Sequence, residues 1–168
     1  GSLWRYALPG GVLFFVAGLL QQIGMITATV SNTGFLTALY VVISPFLLWA
    51  IAVEKPGVKV WIAAGLAFIG IWALGGGRLG GLSTGDMFVA SSSIGWALFM
   101  VNVSMAGQLA RPVQITCLTF VVVAVLGWGS ALLFDTITWP NIEAALFPIL
   151  FVGILSSALT FVMMAIAV

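Results

Sequence analysis

Long runs without a charged residue are the feature that most limits how this chain can fold. Residues 6–53, 60–77, 87–110, 112–134 and 144–168 contain no Asp, Glu, Lys or Arg, and the runs are 48, 18, 24, 23 and 25 residues long. One crossing of a bilayer needs about 20 apolar residues. Only 5% of the 168 residues are charged, whereas a soluble domain carries about 25%. We therefore expect an all-α, multi-pass transmembrane bundle, because helices satisfy their backbone groups without water.

The same runs predict six membrane-spanning helices. Four runs fit one helix each, whereas the first would reach about 72 Å as a single helix and must turn once. We expect the turn at residues 29–34, where Ser31 or Asn32 can cap a new helix. Ser83 and Asp86 have the spacing of a capping box, with Asp in place of the usual Glu. The expected helices are 9–29, 32–53, 58–74, 84–110, 112–134 and 142–168.

The distribution of basic side chains predicts how the chain is inserted. The side that holds the N-terminus carries Arg5, Lys55, Lys59 and Arg111, and the opposite side carries Arg78. Because loops rich in Lys and Arg stay in the cytoplasm, we expect a cytoplasmic N-terminus, and six spans return the C-terminus to the same side. The expected location is the inner or plasma membrane. Residues 1–8 form the expected N-terminal cytoplasmic segment, which begins with a Gly-Ser pair that resembles a cloning scar.

The composition excludes several classes of function. The chain has no His, one Cys and four carboxylates, so it offers neither a transition-metal site nor a thiol-redox pair, and no nucleophile can be activated by His. Five basic residues are too few for a nucleic-acid surface. We therefore expect no enzyme activity, no cofactor, no bound metal and no nucleic-acid partner. Cys117 is expected to be a small buried apolar side chain.

The acidic side chains are notable for their location. Glu54, Asp86, Asp135 and Glu143 all lie at the ends of expected spans. Asp86 and Glu143 also suit helix N-termini, where the helix dipole favours negative charge. Proton-coupled carriers usually place an ionisable group inside the membrane. We therefore expect any transport by this chain to use a neutral polar cavity without its own proton relay.

Small residues near four-residue spacing predict where helices approach each other closely, because small side chains let two backbones come together in lipid. They occur at Ala63, Ala67 and Gly70, at Ser91 and Gly95, and at Gly153 and Ser157. Packing is the simplest role for all of them.

A short internal repeat relates the first and last expected helices. Residues 15–22 (FVAGLLQQ) align with residues 150–157 (LFVGILSS). The alignment places the polar pair Gln21-Gln22 on Ser156-Ser157. Helices separated by five spans cross in opposite directions, so the repeat would be inverted, and such transporters hold their substrate at the midplane. A match this short can also arise by chance in so apolar a chain.

Several segments closely resemble EamA-type members of the drug/metabolite transporter superfamily. They are residues 31–42 (SNTGFLTALYVV) with Pro45 and 54–56 (EKP), residues 82–86 (LSTGD) ahead of 96–98 (WAL), and residues 153–160 (GILSSALT). The first is the most specific, and the resemblance covers nearly all of residues 9–168.

The resemblance implies ten helices arranged as two inverted five-helix repeats, with both termini in the cytoplasm. It places the six expected helices as the third to the eighth of the ten. Residues 9–82 then form the end of the first EamA repeat and residues 83–168 the start of the second, with three helices each. Two helices are missing at each end, which indicates a fragment or a minimal variant. The departure puts transport by this chain in doubt, because the family's cavity also uses the missing helices.

The resemblance also implies a function. The chain is expected to be a carrier, most simply an exporter of small polar or amphipathic metabolites such as amino acids. It would work by alternating access of two halves around a midplane cavity. The implied partners are membrane lipid and a small-molecule substrate. The alternative is a non-transporting helical interaction or assembly protein, a truncated bundle that self-associates through its small-residue faces.

Polar and aromatic side chains in the spans are the candidate substrate contacts. They are Gln21, Gln22, Asn32, Tyr40, Trp96, Asn102, Ser156 and Thr160. Of the two Gln amides, we expect one to face a cavity and the other to bond a neighbouring helix. Pro45 and Pro148 are candidate kink or gating positions, because each frees the carbonyl four residues earlier.

Structural roles are the alternative at several of these positions. Asn32 can cap the second helix instead of contacting substrate. Tyr40 can serve as a packing ring, and the hydroxyls of Ser156 and Thr160 can return to their own helix backbone. The two prolines can produce ordinary bends.

Overall fold

The computed structural model describes residues 3–51, 55–74, 83–107, 111–134, 138–160 and 163. Every element in these ranges is helical. The helices are α1 (Trp4–Met25), α2 (Val30–Ala38), α3 (Tyr40–Ala50), α4 (Val58–Leu74), α5 (Thr84–Gly107), α6 (Pro112–Phe134) and α7 (Trp139–Leu150), followed by a π-helical segment (Phe151–Leu159). The all-α class expected from the uncharged runs is therefore confirmed.

Four helical stretches within the described residues are long and apolar enough to cross a membrane. They are Trp4–Met25, Val30–Ala50, Thr84–Gly107 and Val113–Phe134. Two shorter apolar stretches, Val58–Gly70 and Ala145–Ile154, lie in α4 and at the junction of α7 with the π-helical segment. By length and composition the chain thus has helices that suit a multi-pass membrane protein.

Helix α1 begins and ends earlier than expected. The carbonyl of Leu3 accepts hydrogen bonds from the backbone N–H groups of Tyr6 and Ala7, at 3.2 and 3.0 Å, so the helix starts well before the expected residue 9. Pro9 consequently lies inside the helix. The early turn forms because Ala7 is fully buried against Ala106 and Ile115, and this packing offsets the backbone hydrogen bond that a proline lacks.

The N-terminal cap of α2 is Thr29, so the expectation of a cap at Ser31 or Asn32 is wrong. Thr29 has an extended backbone (φ −74°, ψ 154°), and its Oγ1 accepts a hydrogen bond from the backbone N–H of Asn32 at 3.1 Å. This geometry satisfies one of the free N–H groups at the start of the helix. It leaves the side chain of Asn32 available for another partner.

The expected second helix, residues 32–53, is interrupted near its middle. At Leu39 the backbone N–H bonds to the carbonyl of Leu36 at 3.3 Å, in the tighter three-residue pattern. The dihedral angles of Leu39 (φ −57°, ψ −24°) remain right-handed helical, so α3 continues in roughly the direction of α2. Pro45 is buried inside α3. Residues 52 and 53 lie outside the described ranges.

The capping box at the start of α5 is confirmed. The backbone N–H of Ser83 donates to Oδ2 of Asp86 at 2.8 Å, and the backbone N–H of Asp86 donates to Oγ of Ser83 at 3.1 Å. The two residues thereby satisfy each other's free donors. Helix α5 is described as far as Gly107, and the expected continuation over 108–110 lies outside the described residues.

The bounds expected for α4 and α6 are confirmed, whereas the last helix starts earlier than expected. Its first residue is Trp139 instead of Ile142, because Pro140 occupies the first turn, where its missing N–H costs nothing. The helix changes to a π-form after Leu150, close behind Pro148. The expected end of this helix at residue 168 lies outside the described residues.

The chain forms two compact units, divided after Val12 and after Met105. The central unit contains the described residues of 13–105, in which α2, α3 and α4 pack on one another. The terminal unit contains the described residues of 1–12 and 106–168, with the Ala7–Ala106–Ile115 core, and in it α7 continues directly into the π-helical segment. The division into two sequence repeats at residue 83 stays a prediction.

Candidate functional site on α1 and α5

Helices α1 and α5 cross so closely in the central unit that glycine is required at the contact. A Cβ atom at Gly24 would lie 2.6 Å from Cγ2 of Val89 and 2.7 Å from the carbonyl oxygen of Gly85. A Cβ atom at Gly95 would lie 2.9 Å from the Cβ of Ala17. Because the end of α1 meets the start of α5 and Ala17 meets Gly95, the two helices run antiparallel.

A polar side-chain pair joins these helices. Nε1–H of Trp96 donates a hydrogen bond to Oε1 of Gln21 at 2.9 Å. Helical side chains lean toward the N-terminus of their own helix. The amide of Gln21 therefore reaches back to the level of Ala17 and Gly95, although the residue lies only one turn from the end of α1. Trp96 lies near the middle of α5, so the pair is placed deep in a membrane-length helix.

Aromatic rings hold the indole of Trp96 in place. Phe14 lies edge-to-face on Trp96 with 4.9 Å between ring centroids, and on Phe99 with 5.3 Å. Trp96 and Phe99 are themselves 6.2 Å apart at 81°. Edge-to-face contacts of this kind favour one ring orientation. The indole N–H is consequently aimed at Gln21, whose amide nitrogen keeps two donors that the bond to Trp96 does not use.

A second polar contact ties α2 to the start of α5. Nδ2 of Asn32 donates to Oδ1 of Asp86 at 3.1 Å, and the hydroxyl of Ser83 donates to Oδ2 of Asp86 at 3.0 Å. Asp86 lies in the first turn of α5, as expected, and only 2% of it is exposed. A carboxylate can be buried at this position because N–H and O–H donors surround it.

The remaining candidate residues of the central unit have different surroundings. Gln22, next to Gln21, is exposed, and Asn102 in α5 is 6% exposed. Tyr40 is half-buried and is the first residue of α3, directly after the interruption at Leu39. The structure therefore brings Gln21 together with Trp96, and Asn32 together with Asp86. Their roles in substrate binding stay predictions.

The candidate residues of the last helix belong to the terminal unit. Thr160 and Pro148 are exposed, and the side chain of Ser156 lies outside those described. Only Ser157 of the polar pair expected from the internal repeat has a described side chain, and it is half-buried. The expected pairing of Gln21-Gln22 with these residues around one cavity stays a prediction.

The close helix contacts expected at the small-residue stripes are confirmed at Gly95 and wrong at Gly70 and Gly153. Gly95 contacts Ala17, but among the described residues nothing lies within 4 Å of the positions that a Cβ atom would take at Gly70 or Gly153. Sequence reasoning missed the contact of Gly24 with Gly85, which is the tighter one. A usable signal was present, because Gly24 follows Ala17 by seven residues and thus lies on the same helix face.

The expectation that Cys117 is buried is also wrong. Cys117 is exposed, whereas Ile115 and Thr119 are 4% and 5% exposed. Residues four apart share one face of a helix, and Cys117 lies between them in sequence but on the other side. Among the described residues no cluster of three or more Cys, Asp or Glu side chains is placed to hold a metal ion.

Comparison with known proteins supports a transport protein. The chain is 25% identical over 105 residues to a protein of Archaeoglobus fulgidus that is described as an uncharacterized transporter. The matched region covers 62% of this chain, and the chain spans about a third of the relative's length (33%). No family model and no solved structure matches the chain. The similarity and the four apolar helices together define the class as a membrane protein with a transporter relative.

Proposed function

We propose that this chain is the substrate-handling part of an EamA-type carrier that exports small polar or amphipathic metabolites, such as amino acids, by alternating access. The observation that carries the proposal is the hydrogen bond between Gln21 and Trp96 at the crossing of α1 and α5. Burying an amide and an indole N–H between two apolar helices costs free energy unless each group is hydrogen-bonded to a protein partner or to a solute. Here one acceptor and one donor pair with each other, and two amide donors remain.

These groups suit an amphipathic solute. The free N–H donors of Gln21 can bind a carboxylate or carbonyl oxygen of the solute, while the ring face of Trp96 can cover an apolar part. Asn102 and Tyr40 extend the polar lining. Within the described residues of the central unit, no side chain at the depth of Gln21 and Trp96 carries a formal charge, so the proposed site is neutral and carries no proton relay of its own.

The proposal includes the membrane arrangement expected from the sequence. Six spans in two inverted repeats cross the inner or plasma membrane, with both termini in the cytoplasm. The basic residues expected on the cytoplasmic side, Arg5, Lys55, Lys59 and Arg111, are all exposed in the structure. Pro45 and Pro148 are the proposed bending points. Neither an enzyme activity nor a cofactor is part of the proposal, and lipid and the solute are the partners.

A non-transporting assembly protein is the second candidate. It is favoured by the broad apolar surface of α6, on which Leu132, Leu133 and Phe134 are each at least 70% exposed. A helix face of this kind can contact lipid or a second copy of the chain. The two candidates differ in whether a solute crosses the membrane.

Flux from liposomes tests the proposal. The purified protein is reconstituted and loaded with a mixture of radiolabelled amino acids, and efflux is compared with that of protein-free vesicles. We expect measurable efflux that Gln21→Leu lowers much more than Gln22→Leu, because Gln21 bonds Trp96 and Gln22 is exposed. Efflux equal to that of empty vesicles, together with a stable oligomer in detergent, favours the assembly protein. Equal losses in both variants refute the site.

A further inference from the structure

Five hydroxyl side chains lie along one face of the α2–α3 helix and its cap. They are Thr29, Thr33, Thr37, Tyr40 and Ser44, and we call them the hydroxyl stripe. Successive members are four, four, three and four residues apart, which is the repeat of a single helix face. Because Leu39 keeps helical dihedral angles, the face continues across the interruption. A polar face that runs through most of a membrane-length helix is expensive unless it contacts polar groups.

Two hydroxyl groups of the stripe donate hydrogen bonds to their own helix backbone. Thr33 Oγ1 donates to the carbonyl of Thr29 at 2.9 Å, and Ser44 Oγ donates to the carbonyl of Tyr40 at 2.6 Å. This return to the backbone is the ordinary behaviour of Ser and Thr in membrane helices. It uses the hydroxyl hydrogens and leaves oxygen lone pairs, so the stripe presents mainly hydrogen-bond acceptors.

Thr37 differs from these two. Its Oγ1 is buried and makes no hydrogen bond within the part of the chain that the structure describes. A buried hydroxyl without a partner destabilises the conformation that contains it. Thr37 lies two residues before the interruption at Leu39 and one turn before Val41.

One turn beyond Thr37, the backbone also lacks a donor. Pro45 has no N–H group, so the carbonyl of Val41 loses the donor that an α-helix normally supplies. Irregular backbone at membrane depth occurs where it faces protein or a water-filled cavity. In transporters, interrupted helices with free carbonyls are places where ligands bind near the midplane.

The stripe does not face α4. Phe46 and Trp49 of α3 lie edge-to-face on Trp61 of α4, with ring centroids 4.4 and 6.3 Å apart. Val42 precedes Phe46 by four residues and shares its face, and at 100° per residue this face is opposite the hydroxyl stripe. The members of the stripe that follow the cap are buried or half-buried.

The stripe and the proposed site lie at a similar depth. The bond between Asn32 and Asp86 places the starts of α2 and α5 on the same side. Tyr40 is eight residues beyond Asn32 and Trp96 is ten beyond Asp86, distances of about 12 and 15 Å along the two helices. The interruption of the α2–α3 helix is therefore level with the indole of Trp96.

We propose that the hydroxyl stripe lines the solute pathway of the central unit, and that the Thr37 hydroxyl binds a hydrogen-bond donor of the solute, its ammonium or hydroxyl group. The proposal rests on the proposed transport function and adds the group that recognises the donor end of the solute. In the present conformation Thr37 Oγ1 is occluded. Water and solute reach it when the pathway opens.

Cysteine accessibility tests the pathway without requiring transport. Cys117 is first replaced by serine, and Thr37→Cys, Ser44→Cys and the control Val42→Cys are introduced singly into reconstituted protein. Each is treated with a cationic, membrane-impermeant thiol reagent. We expect Thr37→Cys and Ser44→Cys to react at least about tenfold faster than Val42→Cys, because the reactive thiolate forms only where water reaches. Equal rates at all three positions overturn the proposal, whatever the flux assay shows.

Donor recognition is tested with a matched pair of solutes. Glycine has an ammonium group, whereas its trimethylated form, glycine betaine, has the same charges and no N–H donor. We expect an excess of glycine, but not of glycine betaine, to slow the labelling of Ser44→Cys, and Thr37→Val to abolish this protection while Thr37→Ser preserves it. Equal protection by both solutes, or protection that survives Thr37→Val, overturns the assignment of Thr37. If protection follows the expected order but no flux is found, binding at the stripe stands and the transport function fails.

Discussion

Helices α5 and α6 are nearly equal in length, at 24 and 23 residues, but have opposite surroundings. Within the most apolar 18 residues of each helix, 39% are buried inside the chain in α5, compared with 6% in α6. Helix α5 buries Asp86, Ser92, Ser93 and Asn102. Helix α6 exposes large apolar side chains, including Val125, Trp128 and Leu133. The more polar helix is thus the inner one, which is the reverse of a soluble protein.

The solvent explains the difference. When lipid surrounds a protein, an apolar side chain gains little from leaving the surface, so helices associate through close backbone contact and polar bonds. Helix α5 has a close backbone contact, where Gly85 meets Gly24 of α1, and a polar bond, where Trp96 donates to Gln21 of α1. Helix α6 approaches Gly11 of α1 closely at Val122, but its second half is open: among the described residues nothing lies within 4 Å of the position of a Cβ atom at Gly127 or Gly129.

The strongest test of this comparison places the same methyl group on each helix. In Gly85→Ala the new Cβ collides with the carbonyl of Gly24 and the backbone N of Ala28. We expect a loss of about 1 to 3 kcal/mol in the free energy of unfolding. In Gly129→Ala, where the space is open, alanine is expected to stabilise the helix by about 0.5 to 1 kcal/mol. Unfolding in detergent, followed by circular dichroism, measures both, and a loss of the same size in both variants contradicts the comparison.

The second-largest loss of unfolding free energy is expected at the buried carboxylate of Asp86. Asp86→Ala removes the acceptor of the Asn32 amide and of the Ser83 donors, and we expect a loss of about 1 to 3 kcal/mol in unfolding free energy. Asp86→Asn keeps an acceptor oxygen and is expected to lose less. The control is Glu143→Ala in α7, an exposed site where a change within about 0.5 kcal/mol is expected. An Asp86→Ala variant as stable as the control would show that the contact of α2 with α5 contributes nothing.

The bond between Gln21 and Trp96 is expected to contribute less to stability than to transport. Hydrogen bonds between membrane helices contribute about 0.6 kcal/mol on average. A double-mutant cycle with Gln21→Leu and Trp96→Phe is expected to give a coupling energy of about this size. Because the cycle cancels the packing lost with the indole ring, a coupling energy of zero would mean that the bond does not form in the membrane.

The smallest effect is expected on α6. Leu133 is 77% exposed, so its side chain makes few contacts within the chain. Leu133→Ala is expected to change the unfolding free energy by less than about 0.5 kcal/mol, whereas a leucine in a tightly packed core loses about 2 to 5 kcal/mol. A loss in that larger range, measured as above, would show that α6 is covered by another surface, as the assembly-protein alternative requires.

Features that depend on residues close together in the sequence were predictable, whereas features that depend on distant residues were not. The helix that begins at Thr84 and its capping box were predictable, because Ser83 and Asp86 are neighbours within one turn. The cap of α2 was misplaced from Thr29 to Ser31 or Asn32, since all three residue types can cap and only the backbone angles decide. The early start of α1 was missed, because the burial of Ala7 depends on residues nearly a hundred positions away.

The candidate site shows the same limit. Gln21, Trp96 and Asn32 were identifiable as polar or aromatic groups in apolar spans. Their partners were not, because the bond of Gln21 to Trp96 joins residues 75 positions apart and that of Asn32 to Asp86 joins residues 54 apart. The exposure of Gln22, next to Gln21, shows that neighbours of identical chemistry separate once a helix has a defined orientation.

The sequence by itself determined the solvent, the helical class and most of the local helix ends, because runs without charge and caps within one turn act over a few residues. Only the tertiary structure decided which face of each helix is turned inward. It selected Gly24 and Gly85 as a close contact, buried Asp86, and left the Thr37 hydroxyl without a partner among the described residues. These choices depend on how helices cross, and the crossing is set by contacts between residues that no local stretch of sequence contains.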